Sequence, residues 1–409
     1  MDHNVCFLVS EHPFLDARIF KKEAKSLHQQ GYQVTMIVPR KKGYLFDVDG
    51  SIFYEQFRSS VFGHEGINVI TYEQRHPEKR IKELNHNLQS GHHHRFTDQL
   101  TQLGIEQKAD YYHAHEFFSL YSGIGIKRAL AVEGKQTKLI YDSHELDPDP
   151  LIEQPQNIYN TKKQMLKLML NELDYVITVS SSIKSWYRSI NPYLPTEVIY
   201  NAPPLTPDHH PGQGYKKGLT IAYEGVMNQN RGSFHKLIDI LEQCHKTLRL
   251  NLIIIGGEKA ADQDLKHLIP PHLQENVHFT GWIGYDAIPS VMKGADLGWI
   301  DLDTAHSLNQ RFAMPNKFFS YLNNGVPVLA NQSKDMQTFV ETYQCGHVVP
   351  KQQATADDYV QALHFLDANR DKIRTMSLNA RQAMEAHFSW EHMAKRLYAV
   401  YDRLAKDRS

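Results

Sequence analysis

Cysteine is scarce in this chain: three occur in 409 residues, Cys6, Cys244 and Cys345, far apart and without a CxxC pair. That excludes a disulfide framework and a structural zinc knuckle, and points to a reducing compartment. Long apolar runs are also missing, since none approaches the ~20 residues that span a bilayer. The opening MDHNVCFLVSEH has neither a basic n-region nor a long apolar h-region, so no signal peptide is expected. A cytoplasmic location follows as the expectation, with peripheral contact at the inner membrane face left open. Excess charge of one sign is absent too: 45 Lys and Arg against 46 Asp and Glu give a formal net charge of −1. A general nucleic-acid binder needs many Lys and Arg contacts to phosphate, so nucleic acid is not an expected partner.

What the chain does have is an ordinary globular balance, 41% hydrophobic and 22% charged. Its length suggests two or three domains. VCFLVS, from Val5 to Ser10, is a continuous apolar run of the kind buried on both faces of a sheet. A polar loop follows, then a helical period from Ile19 to Gln30 that stops at Gly31, then a second strand from Tyr32 to Pro39. Strand, helix and strand in so short a stretch predict a parallel sheet with crossover helices. Residues 41–107 are less regular. There Gly91-His92-His93-His94 lacks the i,i+4 spacing of a metal site and reads as solvated surface. Asn160–Leu173 reads as an amphipathic helix, packed in its domain or laid on a membrane surface. Further strands fall at Tyr175–Ser180 and Glu197–Tyr200, and the Pro- and Gly-rich stretch after Asn201 predicts the interdomain linker. A second strand series then runs through LTIAYEG, NLIIIGG, VHFTG and ADLGWI.

Several stretches carry candidate chemistry. DYYHAHE and KLIYDSHE each run from an apolar strand into His and acid residues, among them His115, His144 and Glu145. In open parallel sheets such strand ends line the ligand crevice; a hydrogen-bonded loop histidine is the plainer reading of each. Gly225 and Arg231-Gly232 flank a polar loop before a helix, a pattern suited to a diphosphate, and Gly256-Gly257 permits close backbone approach. From Arg311 to Ala330, Pro315 sits at a helix start beside Asn316 and Lys317, and Asn323-Asn324-Gly325 ends the helix before a strand. Such a helix start seats phosphate or sugar hydroxyls, though a buried helix without a ligand fits the same pattern.

Together these stretches resemble the large retaining glycosyltransferase family 4 (GT4, group 1) of the GT-B fold. FLVSEHPFLDARIFKKEAKSLHQQGYQV is similar to the family's opening strand, loop and helix, with Asp16 and Arg18 as its Asp-x-Arg. DYYHAHE and LIYDSHEL resemble the next two strand-end motifs, YEGVMNQNRG the phosphate loop, and MPNKFFSYLNNGVPVLA the donor helix. FSWEHMAKRLYAVY is like the C-terminal helix that returns to the first domain. The resemblance implies two Rossmann-like, doubly wound parallel-sheet α/β domains facing a cleft. Residues 1–203 would be the acceptor-side domain, 204–385 the donor domain, and 386–409 the helix packing back. It implies hexosyl transfer with retention from a UDP, GDP or dTDP sugar to a carbohydrate or glycolipid acceptor, in surface polysaccharide or glycoconjugate synthesis. Carried over, His115 and Arg231 would be catalytic. Gly225, Arg231, Gly256, Pro315, Asn316, Lys317 and Ser320 would bind the donor; Asp16, Arg18, His144 and Glu145 would lie on the acceptor side. No metal or other cofactor is expected.

The chain departs from the family pattern at three positions. The family carries two glutamates eight positions apart, the second five residues before the helix-ending glycine; counting back from Gly325, those positions are Ser320 and Phe312. The second glutamate normally accepts hydrogen bonds from ribose hydroxyls, and its loss would cost about 1.5–3 kcal/mol of donor binding unless replaced. Val226 stands where many members have an arginine. The alternative reading is therefore a catalytically degenerate binding or scaffold protein on the same fold.

Overall fold

The computed structural model describes residues 3–75, 77–207, 218–228, 232–258 and 265–406. Its contacts divide into two compact units: Met1–Ile199 together with Ala394–Ser409, and Tyr200–Met393.

In the first unit the strands are β1 (Asn4–Val9), β2 (Gln33–Arg40), β3 (Val61–His64), β4 (Ile67–Glu73), β5 (Tyr111–His115), β6 (Lys138–Ser143), β7 (Tyr175–Thr178) and β8 (Thr196–Val198). They form one sheet in the order β3-β4-β2-β1-β5-β6-β7-β8. Every pairing is parallel except β3 with β4. Five of the six β1 residues are buried, which is why this strand reads as an unbroken apolar run rather than an alternation. Fully burying each such Val, Leu or Phe contributes about 1.5–3 kcal/mol. The chain winds from β1 outward to β2 and returns on the other side as β5, so the carboxyl ends of β1 and β5 bound a crevice at the reversal point. Register sets Val9 beside His115, and His115 beside Asp142.

The irregular region hid the β3–β4 hairpin, whose two turn residues Glu65 and Gly66 both have positive φ, 47° and 79°. Such turns usually advertise themselves as Asn-Gly or Asp-Gly, and Glu-Gly does not. The predicted helix from Ile19 begins instead as a π-helical turn, Ile19–Ala24, and only then continues as α-helix Lys25–Gln29. The amphipathic helix runs Gln156–Leu170 and buries Met165, Leu166, Met169 and Leu170 within the unit. Among the described residues no helix is long and apolar enough to cross a membrane. The final helix, Trp390–Lys406, belongs to this unit from Ala394 onward. Its Tyr401 hydroxyl lies 3.0 Å from His113 Nδ1 in the core.

The second unit is a wholly parallel sheet of β9 (Leu219–Val226), β10 (Leu250–Gly257), β11 (Val277–Gly281), β12 (Leu297–Ile300), β13 (Val328–Asn331) and β14 (Gly346–Val349). The order is β11-β10-β9-β12-β13-β14, placing its own reversal between β9 and β12. Trp299 and Tyr359, with ring centroids 4.3 Å apart, anchor a core that includes Ile221, Phe234, Leu252 and Leu329. The helix expected after Pro315 is present as Asn316–Asn323, with Pro315 as its N-cap.

Candidate functional site

Each unit gathers charged side chains at the carboxyl edge of its sheet. In the first unit the centre is Asp142, at the end of β6. Arg18 reaches it from the loop after β1 and donates twice, Nε to Oδ2 and Nη2 to Oδ1, both at 2.9 Å; its Nη1 donates to the Ile199 carbonyl at 2.8 Å. The π turn allows a second contact. Glu23, five residues after Arg18, donates its backbone N–H to the Arg18 carbonyl, and its Oε1 lies 3.0 Å from Arg18 Nε, whose N–H points to Asp142. Arg18 is only 1% exposed, so this predicted acceptor-side residue sits inside the unit. Burial pushes the Asp142 carboxyl up, but Arg18, then His144 and His115, overcome it and hold the group well below the usual range. Burial, opposed by Arg18, raises Glu23 well above its ordinary value. The two carboxyl groups on this single guanidinium are thus pushed in opposite directions, Asp142 down and Glu23 up.

His115, at the end of β5, is completely buried. Its Nδ1 lies 3.2 Å from His144 Nε2 and 3.5 Å from Asp142 Oδ2, and its ring stacks on His113. Burial brings it down to about 4, so it is a neutral imidazole at ordinary pH. The more accessible groups lie one step outward: His12, Glu116 and His144, with Asp16 beside them. Asp16 Oδ1 accepts the backbone N–H groups of Arg18 and Ile19, which fixes the loop that delivers Arg18. Glu145 is exposed, and its carbonyl accepts the Ser143 hydroxyl. The motif letters marked His115, His144, Asp16 and Arg18. They did not mark His12 or Glu23, and they held Glu116 and Asp142 only as members of the two strand-end His and acid clusters; what these groups contact depends on strand register and on the π turn.

In the second unit the site forms where β9 ends beneath the helix Asn316–Asn323. Ser320, 5% exposed, donates its hydroxyl to Glu224 Oε2. The Glu224 backbone N–H donates to the Tyr321 hydroxyl, which in turn donates to the Trp299 carbonyl, so one buried tyrosine ties the helix to β9 and β12. Lys317 Nζ sits 3.7 Å from the centre of the Tyr223 ring. It also lies 3.7 Å from where a Cβ on Gly225 would stand. Burial raises the Glu224 carboxyl, while Ser320 and Lys317 oppose the shift. Gly225 and Gly256 are paired across β9 and β10, at φ 113° and 96°, and a Cβ on Gly256 would lie 2.8 Å from the Gly225 carbonyl oxygen. Both need glycine, and together they keep a patch of backbone open beside Glu224. Asn316 is exposed at the helix start.

Arg231 lies outside the described residues. The chain just after it is anchored by Asp301, next to β12, which accepts from Ser233 Oγ and Lys236 Nζ at 2.6 Å and from the Tyr359 hydroxyl at 2.8 Å. Sequence reasoning missed Asp301 and Glu224. Each follows or ends an apolar strand, but their partners are 58 to 97 residues away in sequence. Phe312, where the family has its first glutamate, is partly buried with Lys334 Nζ 5.5 Å from its ring. His92, His93 and His94 lie in a partly exposed short turn, His92 stacked on His94.

Comparison with known proteins agrees with this architecture. The model for Glycosyltransferase Family 4 matches residues 17–205, and that for Glycosyl transferases group 1 matches residues 218–367. YtcC of Bacillus subtilis (strain 168), named as a candidate glycosyltransferase, is 23% identical over 261 residues. That match covers 58% of this chain and 61% of YtcC. Sucrose-phosphate synthase from Thermosynechococcus elongatus superposes with a TM-score of 0.69 at 17% identity, over 99% of this chain and all of that one. HepE of Anabaena in complex with UDP-glucose gives 0.63 at 14% identity, over 98% of this chain and 99% of that one. At these identities the superpositions speak for the fold, and the two family models, one on each unit, speak for descent. The chain belongs to the family 4, group 1 glycosyltransferases of the GT-B fold.

Proposed function

We propose that this protein transfers a hexosyl group from a nucleotide-sugar donor to an acceptor hydroxyl, with retention at the anomeric carbon. The observation that carries the reading is the group of Glu224, Ser320 and Lys317 beside the Gly225–Gly256 backbone at the reversal point of the second sheet. The helix lacks its own carboxylate at position 320, but Glu224 brings one to the same place from β9. Glu224 therefore supplies the acceptor for the ribose hydroxyls, and Lys317 supplies positive charge near the phosphates. Arg231 neutralises the diphosphate as the glycosidic bond breaks. The departing phosphate oxygen takes the acceptor's proton, so no separate base is required. A surface polysaccharide or glycolipid is the acceptor class.

UDP is the favoured nucleotide, because a ribose diol uses the Glu224 carboxylate fully and because structures of the HepE relative hold UDP and UDP-glucose. Titration calorimetry with UDP, 2′-deoxy-UDP, GDP and dTDP tests this. UDP is expected to bind in the micromolar range and about tenfold or more tighter than 2′-deoxy-UDP, the value of one lost charge-assisted hydrogen bond. A mass-spectrometric transfer assay over a donor panel completes the test. Absence of both nucleotide binding and transfer would favour the scaffold alternative, to which Phe312 and Ser320 lend weight.

A further inference from the structure

We propose that His12 Nε2, Glu116 Oε1 and His144 Nδ1 form a three-ligand site for a zinc-type divalent ion, with a fourth coordination position open to an oxygen ligand. The three residues come from the ends of β1, β5 and β6, brought together by the sheet. Glu116 Oε1 lies 3.4 Å from His12 Nε2 and 3.6 Å from His144 Nδ1, and the donor atoms all fall within 4.8 Å of one another. Two ligands each about 2.1 Å from a tetrahedral ion are separated by about 3.4 Å, so Glu116 needs almost no movement to share an ion with either histidine. The imidazole rings are 4.8 Å apart between centroids, and a modest turn of His12 completes the set.

The surroundings support ligation. In metal sites the far nitrogen of each ligating histidine faces a carboxylate or carbonyl that orients the ring. Both histidines have that partner: His12 Nδ1 lies 3.7 Å from Asp16 Oδ2, and His144 Nε2 lies 3.4 Å from Asp142 Oδ2. Those carboxylates are themselves fixed, Asp16 by two backbone N–H groups and Asp142 by Arg18. Glu116 is held at φ 70°, ψ 171°, a conformation open mainly to glycine, with its N–H bonded to the Asp142 carbonyl. The fold thus maintains strain at the residue that bridges the two histidines. Side-chain exposures of 26%, 11% and 12% for His12, Glu116 and His144 leave the group reachable from solvent.

Two other histidine groups fail the same tests. Glu23, His113, His115 and Asp142 are fully enclosed, and the Arg18 guanidinium already provides their cation. The exposed His92–His94 run is built from sequence neighbours with no carboxylate behind them among its described contacts. Two imidazoles and one carboxylate select a borderline ion such as Zn²⁺ over Mg²⁺ or Ca²⁺, which prefer six or more oxygens. The open position suits water or a carbohydrate hydroxyl. This proposal runs against the sequence expectation of a metal-free chain, and it is argued independently of the donor-site reading in the second unit.

The test uses the full chain after chelator treatment, titrated with ZnCl₂ by calorimetry and with CoCl₂ by visible absorption. One equivalent of Zn²⁺ at micromolar affinity or tighter is expected, with the intense visible bands of four-coordinate Co²⁺. His12→Ala and His144→Ala should each weaken Zn²⁺ at least a hundredfold. Asp16→Asn, which touches no ion directly, should weaken it ten- to a hundredfold, and His92→Ala/His94→Ala should leave it unchanged. Circular dichroism and the urea unfolding midpoint identify variants that misfold. No Zn²⁺ binding by the folded chain overturns the proposal. So does binding that survives both single-histidine variants, or that disappears only with His92→Ala/His94→Ala.

Discussion

The carboxyl edges of the two sheets solve the same problem differently. Each lies at a point where strand order reverses, and each sets a carboxylate against a cation. In the first unit Arg18 and Asp142 are 1% and 0% exposed, joined by two hydrogen bonds, with Glu23 on the same guanidinium. In the second, Glu224 is only partly buried, held by a single serine, with Lys317 nearby over an aromatic ring and glycines leaving backbone open beside it. In the first arrangement the buried charges are paired with one another, and the groups that reach solvent are His12, Glu116 and His144. The second keeps bonding capacity for something else. Depth of burial, rather than residue type, separates the two edges.

The sharpest way to break this comparison is Arg18→Met. It leaves Asp142 without its buried partner and is expected to cost about 3–5 kcal/mol in urea unfolding. Arg18→Met/Asp142→Asn should recover part of that loss, since the uncompensated charge is gone. A cost below about 1 kcal/mol would place Arg18 among surface residues of the ordinary kind. Arg231→Ala comes next, with an expected loss of at least about a hundredfold in kcat/KM and little change in unfolding midpoint. A loss under threefold would remove Arg231 from the diphosphate.

Glu224→Gln probes the second edge directly. UDP affinity should fall about ten- to a hundredfold, matching a lost charge-assisted bond. Preference for UDP over 2′-deoxy-UDP should collapse with it. Stability should hold or rise, because burial already makes the ionised carboxylate costly. The contrast with Arg18→Met is the point: one substitution lowers stability, the other lowers binding. If Glu224→Gln instead destabilises the fold and spares UDP, the two edges are alike and the comparison fails.

Much of this was legible in the sequence, and what was not has identifiable causes. VCFLVS, NLIIIGG and their fellows announce buried strands because both faces of a parallel sheet are covered, and Pro315 and Gly325 bracket the helix Asn316–Asn323 by their backbone preferences. Arg18 and His144 could be singled out from their motifs, but an Asp-x-Arg motif carries no information on depth, so the enclosure of Arg18 was not legible. The π turn at Ile19–Ala24 was hidden because its apolar spacing also fits an α-helix. Glu224 was unreadable for another reason: its partner Ser320 is 96 residues away and meets it only through the placement of the helix over β9. Where the motif lacks a carboxylate on the helix, β9 sets the Glu224 carboxyl against Ser320.

The smallest expected effect is that of Ser320→Ala, and it bears on how Glu224 works. If Ser320 only steadies the carboxylate, removing its hydroxyl costs about 1 kcal/mol of stability, the ordinary worth of one partly buried hydrogen bond. UDP binding then weakens less than about tenfold, and the preference over 2′-deoxy-UDP remains, because the carboxylate still reaches the ribose. If Ser320 itself held the nucleotide, Ser320→Ala would erase that preference as fully as Glu224→Gln. Measured side by side, the two preference ratios assign the contact to one residue. Retention in Ser320→Ala and loss in Glu224→Gln places the acceptor on β9, with the helix residue acting through it.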